Sequence, residues 1–327
     1  MATIIGTIGN DALIGTIESD IISGDTGNDF LNGAEGDDTL SGGDGRNALI
    51  GGDGNDILSV GAGGSFLSGN DGNDALFGGS DRDILFGNDG DDALNGNAGD
   101  DQLDGGDGID LLNGGDGNDI LNGGNDIDVL SGGDGNDALN GDVGNDVLFG
   151  NDGNDALFGG DGDDLVSGND GNDALFGGAQ NDILFGDTGN DNLFGEAGDD
   201  QLTGGLGTDI LTGGLGADRF LFSAITVGDV DTITDFSVQD DVINVSPAIF
   251  GINVVTPQAG PIAADQLVIG STATSSSNRF IYNDTTGALY FDIDGLGGAA
   301  QIQFAKLSAG LDLTNNNIVV GISSAVV

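Results

Sequence analysis

Apolar side chains recur at every ninth position from Leu13 to Phe220, separated by stretches dominated by Gly, Asp and Asn. From Gly6 to Leu221 the chain divides into 24 consecutive blocks of the form Gly-Gly-x-Gly-x-Asp-x-Φ-x, Φ being apolar, without an insertion or deletion. Position eight is apolar in every block, from Leu13, Ile22 and Leu31 to Leu202, Leu211 and Phe220. A frame kept this strictly predicts stacking, because a helical stack cannot absorb an extra residue without dislocating. Positions one to six are expected to turn: glycine permits positive φ, and Asn or Asp at position five tolerates the left-handed region. Positions seven to nine are expected to form a three-residue strand, its middle side chain inward and its neighbours outward. Two blocks then make one coil of 18 residues. About 12 coils, roughly 4.8 Å apart, predict an all-β, two-sheet β-solenoid roughly 55–60 Å long.

The pattern divides the chain into a lead-in (1–5), the repeat array (6–221) and a carboxy-terminal region (222–327). The last region holds ten of the 56 acidic residues and all three prolines. Its alternating stretches Arg279-Phe-Ile-Tyr282 and Leu289-Tyr-Phe-Asp-Ile293 predict short antiparallel strands of a small β domain capping the array.

Composition narrows the chemistry. The 327 residues include 66 Gly and no Cys, His or Trp. Glycine at this level without a period would suggest disorder; the period answers that only if something stabilises the stack. A core of one aliphatic side chain per strand is thin against the ordering entropy of the blocks. Disulfides are excluded, and zinc, copper or haem sites are not expected without Cys or His. No apolar run is long enough to span a bilayer, so no membrane insertion is expected. The start Met1-Ala-Thr-Ile-Ile-Gly6 lacks a basic stretch followed by an apolar one, so no cleaved secretory signal is expected. No His base, Cys nucleophile or zinc-protease motif points to an enzyme.

Charge changes the picture most. Five basic residues face 56 acidic ones, a net charge of −51. Only Arg46, Arg82 and Arg219 are basic within the array. Self-repulsion on this scale opposes compaction unless cations bind, and it argues against nucleic acid or anionic membranes as partners.

The candidate cation ligands are the acids at position six. Odd blocks place Asp11, Asp29, Asp83, Asp101, Asp119, Asp137, Asp155, Asp173, Asp191 and Asp209 along one edge of the stack, with Asn47 and Ser65 interrupting the row. Even blocks place Asp20, Asp38, Asp56, Asp74, Asp92, Asp110, Asp128, Asp146, Asp164, Asp182, Asp200 and Asp218 along the other, without a gap. Carboxylates about 5 Å apart repel one another. A hard cation between successive turns, held by these carboxylates and by carbonyls of the glycine-rich turns, removes the conflict. Ca²⁺ suits six or more such oxygens better than Mg²⁺, and on the order of 20 ions would nearly neutralise the array. The alternative is a calcium-free solenoid whose aspartates only cap turns; it does not explain why acids rather than Asn fill 22 of 24 places.

Several departures stand out. Asn47 and Ser65 lie on one edge in successive coils, with Arg46 alongside and Val60 replacing a position-one glycine. This patch reads either as tolerated drift or as a weak joint or contact site. Position four loses glycine at Glu18, Asp81, Asp126 and Gln180, where weaker binding is expected. Phe158, Phe176 and Phe194 end blocks in successive coils and are expected to form an outward ladder. The stretch Ser68–Gly79 recurs identically at Ser167–Gly178, eleven blocks on, so either edge accepts the same block. Asp292-Ile-Asp294-Gly offers an extra cation site or an ordinary hairpin turn.

Blocks such as Gly132-Gly-Asp-Gly-Asn-Asp-Ala-Leu-Asn140 resemble the calcium-binding nonapeptide of the RTX (repeats-in-toxin) proteins, a motif with a recognised link to parallel β-helical folds. The resemblance implies a right-handed parallel β-roll folded by calcium. Gly216-Ala-Asp-Arg-Phe-Leu-Phe222, Asp231-Thr-Ile-Thr-Asp-Phe236 and Asp241-Val-Ile-Asn-Val-Ser246 resemble the region that follows the roll in many RTX proteins, and the stretches Phe280–Gly295 and Ala299–Ala305 resemble the carboxy-terminal domain of bacterial, often cyanobacterial, RTX proteins. That likeness implies an uncleaved signal for the type I secretion machinery. The function expected is a secreted, calcium-binding structural protein at the cell surface or in extracellular matrix. Calcium would fold it into a rigid rod, and the edge of its first coil would favour head-to-tail filaments. A calcium-dependent adhesion or polysaccharide-binding module, and an accessory chain of an RTX enzyme or toxin, are the alternatives. Ice binding would need a flat row of Thr, which the chain lacks.

Overall fold

A computed structural model describes residues 1–223, 225–247 and 260–321. The remaining parts of the expected carboxy-terminal cap lie outside the described residues. The chain divides into two compact units, Met1–Val166 and Ser167–Val327.

In the first unit one parallel sheet runs Thr3–Ile5, Ile21–Ser23, Thr39–Ser41, Ile57–Ser59, Ala75–Phe77, Ala93–Ala98, Leu111–Asp116, Val129–Asp134 and Val147–Asp152. The facing sheet runs from Ala12–Ile14 and Phe30–Glu35 through Ile120–Asn125 and Ala138–Val143 to Ala156–Asp161. Each strand pairs with the strand 18 residues on: Leu112 lies opposite Leu130, and Leu103 opposite Leu121. The fold is thus a two-sheet β-solenoid with an 18-residue repeat. The lead-in supplies a strand too, Thr3–Ile5 pairing with Ile21–Ser23.

The core is the expected column. From Ile22 to Phe220 every position-eight side chain is at most 2% exposed. Leu13, in the first coil, is only half-buried. The strands are longer than three residues: Phe30–Glu35 and most later ones run six, through position three of the next block. The alternation continues with them, since position one falls two residues past position eight and shares its inward face. Position one is therefore buried. A Cβ on Gly33 would lie 2.2 Å from an Asp38 oxygen and 2.6 Å from the Gly51 carbonyl, so only glycine fits.

The turn chemistry also differs from the expectation. Positive φ falls at positions two and four, not five. Position two is left-handed at Asp25 (77°), Ala34 (87°), Asn88 (85°) and Asp142 (68°), where Asn and Asp accompany Gly. Position five instead uses its side chain. Asn28 Oδ1 accepts the Arg46 N–H at 2.9 Å, and Asn118 Oδ1 accepts that of Asn136 at 3.0 Å, one coil on.

In the second unit the sheets continue beyond the nonapeptides. Ile210–Leu215 pairs in parallel with Asp231–Ile233, which pairs with Ile302–Lys306. Arg219–Phe222 pairs in parallel with Val242–Val245, which pairs with Ile318–Val320. The expected antiparallel strands are present further out, with Phe280–Tyr282 against Ala288–Phe291 and the latter against Ile302–Lys306. Aromatics replace leucine here: Phe222 meets Phe304 edge-on at 5.0 Å, and Phe280 meets Phe291 at 5.5 Å.

Candidate metal centre

The position-six side chains line both edges as expected, but apart from the half-buried Asp11 they are buried rather than merely turned toward the edge. Asp38, Asp56, Asp74, Asp92 and Asp128 are 0–3% exposed. Position six precedes the first strand residue, so its side chain tucks under the turn beside the position-one glycine of its own block.

Each carboxylate does two different things. Oδ1 accepts the backbone N–H of the position-six residue one coil earlier: Asp20 to Asp38 at 2.6 Å, Asp38 to Asp56, Asp56 to Asp74 and Asp74 to Asp92 at 2.7 Å. On the other edge Asp83 donates to Asp101 at 2.6 Å and Asp101 to Asp119 at 2.7 Å. In the second unit Asp191 donates to Asp209 at 2.9 Å and Asp182 to Asp200 at 2.8 Å. Turn capping between coils is therefore real, and it uses Oδ1 alone.

The second oxygen, Oδ2, is buried without a hydrogen-bond partner in Asp38, Asp56, Asp74, Asp92, Asp101, Asp110, Asp119, Asp128, Asp137, Asp146, Asp191, Asp200 and Asp209. The backbone decides this. Where position two keeps ordinary φ, its N–H reaches Oδ2: Thr7 to Asp11 at 2.6 Å, Thr16 to Asp20 at 2.8 Å, Gly79 to Asp83 at 2.6 Å. Where position two is left-handed, as at Ala34, Gly52, Asn70 and Asn88, the Oδ2 of Asp38, Asp56, Asp74 and Asp92 has no donor. Two of the blocks with a hydrogen-bonded Oδ2 are those with Glu18 and Asp81 at position four, where weaker binding was expected.

A buried carboxylate with one oxygen left without a donor is costly. Burial pushes Asp74, Asp92, Asp101, Asp128, Asp137 and Asp191 up to about 7, against the opposing pull of the N–H from the adjacent coil. Asp56, Asp110, Asp200 and Asp218 rise to about 6 for the same reason. Asp20 goes the other way, held down chiefly by the Ala2 N–H.

The oxygens present fit a hard cation. Most of the donorless Oδ2 atoms share the space beside the position-one glycine with a glycine carbonyl from the next coil, as Asp38 Oδ2 and the Gly51 carbonyl flank Gly33. Among the described residues no three acidic side chains gather in one cluster. A cation here would therefore draw on carboxylates and backbone carbonyls together, a donor set suited to Ca²⁺.

Three residue groups escaped the sequence reading or change it. Asp231 Oδ1 accepts the Asp209 N–H at 3.1 Å, and Asp241 Oδ1 accepts that of Asp218 at 3.0 Å, so both rows gain a member beyond the repeats. Their signal was the local Asp-x-Φ of Asp231-Thr-Ile and Asp241-Val-Ile, without the preceding glycines. Burial and then the Asp209 charge push Asp231 up to about 8. Phe176 and Phe194 stack at 4.9 Å with planes 8° apart, while Phe158, in the first unit, is 42% exposed. Asp292 Oδ1 accepts the N–H of Asp294 and Gly295 at 3.2 and 2.9 Å, the geometry of a hairpin turn.

Fold and site define a class, a parallel β-roll whose turns carry rows of cation-seeking carboxylates. The RTX calcium-binding nonapeptide repeat (4 copies) matches residues 5–220 in overlapping and adjoining stretches, from 5–40 and 14–49 to 149–184 and 185–220. The chain belongs to this family, whose repeats bind calcium. No curated protein matches it. Among solved structures it is similar to the AlgE6R3 subunit of the Azotobacter vinelandii mannuronan C5-epimerase, at 24% identity and TM-score 0.28, over 47% of this chain and 82% of that one. It is also similar to the extracellular lipase LipA from Serratia marcescens, at 19% identity and TM-score 0.23, over 82% of this chain and 45% of the lipase. Superpositions this loose say nothing of function.

Proposed function

We propose that this calcium-binding β-roll protein is a secreted structural protein, and that calcium uptake by its aspartate rows drives its folding outside the cell. The supporting observation is the series of buried Oδ2 atoms that lack a donor and carry raised proton affinity. At neutral pH a metal-free roll must either hold protons or bury repelling charges. In a calcium-poor compartment the chain would therefore be expanded and exportable; at millimolar calcium, binding energy becomes folding energy. The residues that would hold the ions are the position-six aspartates outside the hydrogen-bonded blocks, together with nearby carbonyls. Asp11, Asp20 and Asp83 would hold ions least well, because their Oδ2 is already hydrogen-bonded. The ion count, on the order of 20 from charge balance, falls accordingly.

Self-association into filaments rests on the first coil. There Ile5, Ile8, Ile14 and Ile17 are 65–83% exposed, an apolar rim of the kind that pairs with a second surface. Circular dichroism of the full chain with calcium and with chelator tests the folding claim, and the chain should gain its β spectrum only with calcium. An identical spectrum under both conditions rules the reading out. Electron microscopy and light scattering of the calcium-loaded sample test assembly, and a sample that stays monomeric at high concentration removes the filament.

A further inference from the structure

Position five is the row that ladders backbone N–H groups between coils, and it changes character at one place. In successive odd blocks it reads Asn28, Arg46, Gly64, Arg82. Arginine carries no acceptor and glycine no side chain, so the ladder that passes from Asn28 to the Arg46 N–H at 2.9 Å offers nothing to the N–H of Gly64 or Arg82. Gly64 leaves a notch one coil wide, and Arg46 and Arg82 stand on its two sides, roughly 10 Å apart at two coil spacings. The notch cannot be filled from within, since a Cβ on Gly64 would lie 2.4 Å from the Arg82 carbonyl oxygen.

A cavity of about 630 Å³ opens here, lined by Asn28, Arg46, Asn47, Ser65, Phe66 and Arg82, with Ile84 and Ala48 extending its apolar wall. Two of the five basic residues of a chain of net charge −51 thus face one cleft. Neither guanidinium is ion-paired among the described residues. The same spot is where the odd row lacks acids at two successive positions, Asn47 and Ser65. The nearby carboxylates each accept a backbone N–H: Asp44 that of Ala62 at 3.1 Å, Asp81 that of Gly63 at 2.8 Å, and Asp100 that of Asn118 at 2.9 Å, with Asp100 also within electrostatic reach of Arg82 though not ion-paired to it. Phe66, 38% exposed and braced against Phe86 at 5.8 Å, gives the cleft a firm apolar side.

We infer that this cleft binds a small organic anion, its carboxylate or sulfate group between the Arg46 and Arg82 guanidiniums and its apolar face on Phe66. Paired guanidiniums recognise the planar or tetrahedral oxygens of such groups, and the free N–H of Gly64 adds a donor of the same sign. The volume suits a body of sugar size, not a bare inorganic ion.

Isothermal titration of the calcium-loaded full chain with glucuronate, glucose 6-sulfate and uncharged glucose tests this. Glucuronate, glucose 6-sulfate or both should bind, and glucose should not; the tighter of the two charged probes identifies the group. The double variant Arg46→Gln, Arg82→Gln should weaken that binding roughly tenfold or more, with an unchanged calcium-dependent dichroism spectrum. Binding that survives in the double variant would assign the anion to bridging calcium and overturn the inference. So would silence of both charged probes at millimolar concentration. Should the double variant misfold, Phe66→Ala is the second probe, and undiminished glucose 6-sulfate and glucuronate binding in it counts against the site.

Discussion

The two edges of the same coils differ in what holds them. On the even edge Asp38, Asp56, Asp74 and Asp92 each cap the preceding coil with Oδ1 and bury an Oδ2 that nothing donates to. On the odd edge, across the same stretch, every side-chain oxygen is satisfied. Asn47 accepts the Asp29 N–H at 3.0 Å and spends its Nδ2 on the Gly43 carbonyl at 3.0 Å. Ser65 accepts the Asn47 N–H at 3.1 Å and donates to the Gly63 carbonyl at 2.9 Å. Asp83 receives the Ser65 N–H on Oδ1 and the Gly79 N–H on Oδ2. Capping a coil thus needs only one acceptor, and Asn or Ser supplies it. Except where the position-two N–H reaches it, at Asp11, Asp20 and Asp83, the second oxygen of aspartate is surplus to the turn, and its presence has to be explained by what it binds.

The largest test of this contrast is chelation of calcium at neutral pH. The even edge should lose its stabilisation and the chain should expand, seen as a larger hydrodynamic radius. Hydrogen exchange read by peptide mass in falling calcium should show the odd-edge turns 43–47 and 61–65 keeping protection longer than the even-edge turn 51–56. Uniform loss along the array would refute the idea that the odd edge stands without metal across Asn47, Ser65 and Asp83.

Second in size is pH. The buried aspartates carry proton affinities above the ordinary carboxylate value, so in the metal-free chain protonation favours folding. That contribution is complete below about pH 4 and is lost as pH rises toward the folded-state values of about 6 to 7. Acidification should therefore restore β structure to a chelated sample. With calcium the dependence reverses, because the metal takes the deprotonated form; the calcium midpoint should fall as pH rises. A midpoint independent of pH would contradict the raised affinities.

Smaller effects come from single positions on the even edge. Asp74→Ala removes the acceptor for the Asp56 N–H and should cost about 1–3 kcal/mol in calcium. Asp74→Asn should keep that bond, lose bound calcium by direct metal analysis, and melt higher than wild type once chelated. If Asn and Ala behave alike, the division of labour between the two oxygens is wrong. The smallest expected change is Asn47→Asp. It should add metal binding to the odd edge and lower metal-free stability by about 1 kcal/mol, the scale of the one Nδ2 bond it removes.

Much of this was legible in the sequence. The nine-residue frame specified the 18-residue coil, the inward column of leucines and the two carboxylate rows, because stacking turns a linear period into spatial alignment. The strand length was not legible, since it depends on position one sharing the inward face with position eight. Nor were Asp231 and Asp241, which follow offsets of 22 and 23 residues and have no glycine frame to announce them. The positive-φ positions were misassigned because Asn and Asp serve two purposes, tolerating the left-handed region at position two and offering a side-chain acceptor at position five.

What the sequence determined alone is therefore everything periodic: the coil, the core and which residues face each edge. What only the tertiary structure decided is how each repeated group is satisfied. Whether an Oδ2 meets the N–H of Thr16 or Gly79, or meets no donor below Ala34 or Asn70, turns on one backbone dihedral. Likewise the arginine notch exists because Arg46, Gly64 and Arg82, 18 residues apart along the chain, become neighbours only when the coils stack. Periodicity fixes positions, but hydrogen bonding depends on the direction of each group, and direction is set by the neighbours that stacking brings.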